Sequence, residues 1–536
     1  MKEENELPEI SPTGQTELND KLILGGTNLM DNSENILKEN ETGKEEPKKV
    51  NSFTTILSIW NSMIGSSVVT QPNNVYYAGI IPSIFLSIIY GLISFYTCKI
   101  YVDYGSKEPD FSVIIERYLN KKFGNRIGKI GKNIQILFNT LITLGGILIY
   151  FLIMSQNLYP IACLILNKMG LDIDAKDLTP DFGRFSFIYL SIILCFVLFP
   201  LSIKKDIGFL VKLSSYGIYF VSILIIFVIY TGISSLINTD FILDYKRNKV
   251  GSNERYLKLF GENPAQLAGA LSLGYFCHTT ILPTLKSNKK QENNISDLFL
   301  GYVFVCLTFS ISGILGYIGF SGKNFDVNFK DNWFMFFEYD DYFVLLFRLL
   351  SVFQLVTVFP ILIFVVRFQI FNFFYGNDYP SKKHVFIYAI ITLFLCLIVA
   401  YCFYDLLGKL LGIVGATTSL ILIYTFPPLV KMITYYMKLK GENIDDSSDK
   451  KDKKKQLNKN DIGINEKVLP DTDAEETEEI NKNKENIEKE VENINIKIGF
   501  KDALYFIGQS SLIVIGIATV IFQFVPINFF NIKLEE

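Results

Sequence analysis

The stretch Asn61-Ser62-Met63-Ile64-Gly65-Ser66-Ser67 interrupts an apolar segment of membrane length. Apolar chain runs up to it from Phe53 and continues past it through Val68 and Val69, with Pro72 just beyond. A bilayer core offers no partners to open backbone groups, so irregular chain at that depth lines a cavity or binds something. A broken first span is a mark of many secondary transporters.

Outward from that break, Phe, Ile and Leu gather in blocks of roughly 20 residues or more, enough for a helix to cross a ~30 Å hydrocarbon core. Eleven spans are predicted, at about 52–78, 80–104, 131–161, 184–203, 207–236, 264–285, 297–320, 341–375, 383–404, 408–437 and 500–528. The expected fold is therefore all-α and integral to the membrane. Residues 1–50 are expected to be a disordered cytosolic tail and 51–437 the ten-span core. Residues 438–499 are expected to be a disordered, charged cytosolic insert, and 500–536 a last span with a short lumenal C-terminus. The insert is rich in Lys, Glu, Asn and Asp, too polar to bury the surface that ordering requires.

Lys and Arg set the orientation. Lys107, Arg117, Lys121, Lys122, Arg126 and Lys129 fall between spans two and three, and Lys286, Lys289 and Lys290 follow span six. The alternate loops are acidic, with Asp172, Asp174, Asp177 and Asp181 in one. The N-terminus is thus expected in the cytosol. The segment Phe111–Gly128 is amphipathic and basic, and is expected to lie on the cytosolic surface, either as a helix or as a polar loop.

A net charge of −3 suggests no nucleic-acid partner. With two histidines in the chain, a His-rich metal site is excluded. The seven cysteines sit mostly in apolar blocks and read as small buried hydrophobes. There is no His-Glu-x-x-His, no Gly-x-Ser-x-Gly and no pair of carboxylates within a span, so no enzyme is expected. A channel would need a polar stripe or charged ring, and no span carries one.

Span six is interrupted as well. It reads Gly269-Ala270-Leu271-Ser272-Leu273-Gly274-Tyr275-Phe276-Cys277-His278-Thr279-Thr280, then Pro283. If spans 1–5 and 6–10 are inverted halves, the two breaks meet near the midplane. Free N–H groups at the start of each second half-helix attract an anion, and free carbonyls at the end of each first half attract a cation. A zwitterion fits between them, with its carboxylate near Gly65-Ser66-Ser67 and its ammonium near carbonyls of both spans. The competing reading is that Gly and Ser only allow close helix packing. His278 could relay protons or gate, or simply pack. Asn61 and Thr357 offer oxygens at membrane depth, and Pro360 frees a carbonyl near Thr357. Oxygen ligands alone suit a hard cation such as sodium. Thr357 could equally bond its own helix.

On these residues the chain resembles the amino acid/auxin permease family. The resemblance is carried by Ser58-Ile59-Trp60-Asn61-Ser62-Met63-Ile64-Gly65-Ser66-Ser67 and Tyr275-Phe276-Cys277-His278. Leu285-Lys286-Ser287-Asn288-Lys289-Lys290-Gln291-Glu292-Asn293-Asn294 and Phe353-Gln354-Leu355-Val356-Thr357-Val358-Phe359-Pro360 add to it. It implies a LeuT-like fold of the APC superfamily, with eleven helices in two inverted five-helix repeats. It implies substrate binding by Ser62, Met63, Ile64, Gly65, Ser66, Ser67 and Val68, largely through backbone, with Phe276 and His278 from span six. It implies that Asn61 and Thr357 match the sodium-site side chains. Sodium is then the expected coupling ion, a proton the alternative, and no other cofactor is implied. The expected activity is alternating-access amino acid transport, of arginine or large neutral amino acids among the options, by a monomer in a late endosomal or lysosomal membrane, with the plasma membrane as the other option. The alternative is an amino acid sensor whose pocket is read by a cytosolic nutrient-signalling GTPase complex. Ser62, Ile64 and Ser66 replace Thr, Met and Thr of an arginine-binding member, which leaves the preferred side chain open.

Overall fold

The computed structural model describes residues 50–65, 67–105, 111–175, 177–204, 217–244, 255–321, 332–375, 381–441 and 499–524. The expected N-terminal tail, most of the charged insert, the lumenal C-terminus and Ser66 lie outside these residues.

The first span is two helices, α1 (Ser52–Ile64) and α2 (Ser67–Ala78). Asn51 starts α1 by accepting the Thr54 N–H at 2.8 Å. Gly65 ends it with φ 39° and ψ −126°, a conformation open to glycine and strained for any residue with a Cβ. α3 (Ile80–Gly105) follows, then α4 (Phe111–Phe123) and α5 (Asn125–Lys168), hinged at Gly124. α6 (Phe187–Ser202) and α7 (Gly217–Asn238) complete the first half.

The second half repeats the plan. α8 (Pro264–Gly274) and α9 (His278–Lys286) form the second broken span. Asn263 caps α8 through the Gln266 N–H, and Pro264 supplies a first-turn residue with no donor to waste. Then come α10 (Asn294–Ser321), α11 (Tyr342–Tyr375), α12 (Lys382–Cys402), α13 (Leu407–Leu422), α14 (Phe426–Leu439) and α15 (Phe500–Phe524). Among the described residues, eight helical stretches are long and apolar enough to cross a membrane: α3, α5, α7, α10, α11, α12, α13 with α14, and α15. Large apolar side chains such as Phe85, Phe374, Phe394 and Phe500 stand exposed on them, as lipid-facing residues do.

The packing pairs repeat with the halves exchanged. α1 and α2 pack on α10, and α8 and α9 pack on α3. α5 packs on α13, and α11 packs on α7. α5 and α11, the third long element of each half, run along one another.

Burial divides the molecule into two main cores. One gathers Ile59, Tyr101, Leu271, Tyr275 and Phe309, from α1, α3, the second broken span and α10. The other gathers Phe151, Leu194, Phe359 and Cys396, from α5, α6, α11 and α12.

Three local features depart from the sequence expectation. Residues Phe241–Asp244 (β1) and Arg255–Lys258 (β2) pair as a short parallel ribbon, so the fold is mostly rather than wholly helical. Extended chain in this connection between α7 and α8 needs partners for its backbone, and the Lys258 N–H also donates to the Tyr317 hydroxyl at 2.9 Å. The segment after Phe111 is a helix whose apolar face, Phe111, Ile114, Ile115 and Leu119, is buried against protein rather than laid on lipid. Span ten breaks at Ile423–Thr425, because Pro427 and Pro428 follow: neither has an N–H to give the carbonyls of Ile423 and Tyr424 one turn back.

Candidate functional site

A cavity of about 130 Å³ lies where the two cores meet. That is close to the ~150 Å³ that holds one benzene-sized molecule. Ser62, Met63, Ile64, Gly65 and Ser67 line it from the first break, and Gly274, Phe276, Thr279 and Thr280 from the second. Ile142, Thr143 and Tyr150 of α5, Leu362 of α11 and Leu411 of α13 supply the facing wall. The two breaks touch: a Cβ built on Gly274 would stand 3.3 Å from Ser67 Oγ.

Helix ends give this cavity its polarity. α2 and α9 begin beside it, and the first N–H groups of a helix have no intrahelical acceptor. α1 ends there with carbonyls that have no intrahelical donor. The carbonyl of Tyr275 is already taken, accepting from Ser94 Oγ at 2.9 Å and Tyr302 Oη at 3.1 Å. Leu271 and Leu273 carbonyls accept the Tyr275 and Phe276 N–H groups. Carbonyls for a ligand ammonium therefore come mainly from α1. No charged side chain is among the described lining residues.

The other sequence candidates lie around this cavity. Val68 is buried behind it in the first core, and Ser66 is outside the described residues. His278 is 1% exposed and faces α3, with Nε2 3.0 Å from Thr97 Oγ1 and its ring stacked on Phe276. It is not among the described lining residues. Asn61 adjoins the lining, and its side-chain oxygen is buried with no hydrogen-bond partner. Thr357 donates to the Gln354 carbonyl at 2.6 Å and faces Gly217 at the start of α7. No hydrogen bond joins Asn61 to Thr357.

Ile142, Thr143, Leu362 and Leu411 were not offered by the sequence, and neither was Tyr150. Its hydroxyl occupies the space a Cβ on Gly65 would need. A tyrosine among aliphatic residues on a long helix carries no local signal beyond its hydroxyl at membrane depth.

Ser62 and Thr280 are exposed and mark the mouth of the cavity, on the side assigned to the cytosol. The opposite side is shut. Gly269 of α8 meets Gly412 and Gly415 of α13 backbone to backbone, and Gln266 Nε2 donates to Asn74 Oδ1 at 3.2 Å. A second seal lies above α5. Asn332 donates to Gln156 Oε1 at 3.1 Å and Asn157 Oδ1 at 2.7 Å, and buried Arg348 donates to the Phe334 carbonyl at 2.6 Å.

A solute-sized chamber closed on one face, between two separately packed helical bodies, defines a multi-pass membrane carrier. The chain belongs to the family described as transmembrane amino acid transporter protein, which matches residues 48–444. It is similar to neutral amino acid transporter 9 of Danio rerio, 26% identical over 450 residues that cover 75% of this chain and 78% of the relative. The sodium-coupled neutral amino acid transporter 9 homolog of Caenorhabditis elegans is 26% identical over 72% of this chain and 69% of its own. Vacuolar amino acid transporter 2 of Saccharomyces cerevisiae is 22% identical over 74% of this chain and 78% of its own. These relatives are transporters, not enzymes.

Proposed function

We propose that the chain is a secondary active transporter that carries amino acids by alternating access. The observation that carries this is the position of the cavity: it lies on the seam between the two cores, with both broken helices on one side and α5 and α11 on the other. Rocking one body on the other would expose the same chamber to each face of the membrane in turn. α6 and the two broken spans beside the eight long stretches support a reading of eleven spans in a LeuT-like fold. The exchanged packing pairs support two inverted five-helix repeats.

Sodium is the coupling ion of this proposal. The orphaned Asn61 oxygen fits a hard cation, since a buried acceptor without a donor is costly unless something binds it. Asn61 and Thr357 would hold the ion, which would supply the electrochemical gradient that drives uphill movement. The relative named as sodium-coupled supports the same reading, and the relative named as vacuolar supports an endolysosomal membrane.

Uptake of a panel of labelled amino acids into proteoliposomes, with sodium and pH gradients imposed separately, tests the proposal. Sodium-driven accumulation is expected. Saturable binding with no flux would replace transport with the sensing role.

A further inference from the structure

The cytosolic end of the α5–α11 contact carries a second cavity, a groove of about 400 Å³. Ile130, Ile134 and Leu137 of α5 form one wall, and Ile370, Phe373 and Phe374 of α11 the other. Thr140 donates to Gln369 Oε1 at 3.2 Å at the end farther from the cytosol. Ile130, Leu137, Phe373 and Phe374 are between 46% and 71% exposed. On membrane helices, apolar walls this open face acyl chains.

The mouth of the groove is basic. Arg126, Ile130, Asn133 and Leu137 follow the spacing that places residues on one helix face. Lys129 shares its face with Asn133 and Ile136, which also line the groove. Arg126 stands one turn, about 5 Å, on the cytosolic side of Ile130, and Lys129 stands level with Ile130 at the edge of the apolar wall. Both are exposed, and neither has a carboxylate partner among the described residues. Lys132 nearby is paired with Glu116 at 2.8 Å. Two unpaired cations at the headgroup level above an open apolar slot complement a lipid with a negative head and a long tail.

We propose that this groove binds one anionic phospholipid of the cytosolic leaflet. An acyl chain lies between α5 and α11, and the phosphate meets Arg126 and Lys129. The site is distinct from the amino acid cavity but shares its walls. Thr143, one turn beyond Thr140, lines that cavity, as does Leu362, two turns from Gln369. A lipid wedged in the groove therefore acts on the α5–α11 spacing behind the cavity.

The test uses the full chain in phosphatidylcholine nanodiscs containing a minor fraction of phosphatidylserine, with native mass spectrometry as readout. One phosphatidylserine per chain is expected to survive release from the disc, and its retention should fall with rising salt. Arg126→Gln with Lys129→Gln should lower retention about 30-fold, from the attraction of two cations at a membrane surface. Leu137→Trp, which fills the slot, should lower it without touching the charge. Arg126→Lys with Lys129→Arg should retain the lipid and shows that the fold tolerates change there. Soluble glycerophosphoserine should not compete, since it brings the head without the tail. Equal retention of phosphatidylcholine, displacement by a neutral sterol or by glycerophosphoserine, or unchanged retention in both loss variants would each overturn the proposal.

Discussion

The Tyr150 hydroxyl lies where a Cβ on Gly65 would stand, so α5 presses directly on the bare backbone of the first break. Two constraints then act on one residue. Gly65 holds a positive φ of 39°, and the space beside it is filled. Gly65→Ala is expected to displace the Tyr150 ring, strain the break and lower the affinity for the transported amino acid at least tenfold, about 1.4 kcal/mol. Binding to purified protein checks this. Wild-type affinity in that variant would place the ligand elsewhere.

Asn61 keeps a buried oxygen without a donor. Asn61→Ala is expected to reduce sodium-driven uptake while leaving uptake under a substrate gradient alone largely intact. Thr357→Ala should act in the same direction. A sodium dose-response identical to wild type in both variants would remove the sodium site from these residues.

Cys98 of α3 and Cys277 at the start of α9 have sulfurs 3.7 Å apart. A membrane-permeant oxidant that accepts two electrons and two protons should join them as a disulfide and staple α9 to α3. If α9 moves against α3 during transport, oxidation stops flux and a reductant restores it. Cys98→Ser should be indifferent to the oxidant. Full flux in protein shown by mass spectrometry to be crosslinked would mean that the two helices travel together.

Asn332 holds three partners from a position 1% exposed: Gln156, Asn157 and the Phe334 N–H. Asn332→Ala leaves two buried acceptors unpaired, at about 1–3 kcal/mol each. The thermal midpoint in detergent should drop, and a thiol probe applied from the lumenal side should reach cysteines introduced in the cavity sooner. Unchanged labelling would show that this network does not seal that side.

The first break was legible because Asn, Gly and two Ser stand together in apolar chain, a combination that packing alone does not demand. The second was legible from Gly274 and its place in the repeat. The break before Phe426 went unread although Pro427 and Pro428 announce it, because the flanking chain is apolar enough to pass as one span. Tyr150 was unreadable for a different reason: its role depends on Gly65, 85 positions away in the sequence, and only packing brings them together. His278 shows the converse. A lone imidazole in a span draws attention, yet its bond is to Thr97 on the neighbouring helix.

Gly269, Gly412 and Gly415 bring α8 and α13 together main chain to main chain. Between Gly269 and Gly415 the contact is backbone on backbone, and the Gln523 side chain of α15 packs against its edge at Gly412. Parting the two main chains means sliding whole helices, which makes this closed side of the cavity a latch with two positions rather than a valve with many. A methyl added at Gly269 or Gly415 would meet the facing main chain and keep it ajar, and on the proposed function the cost would be a leak rather than a slower carrier.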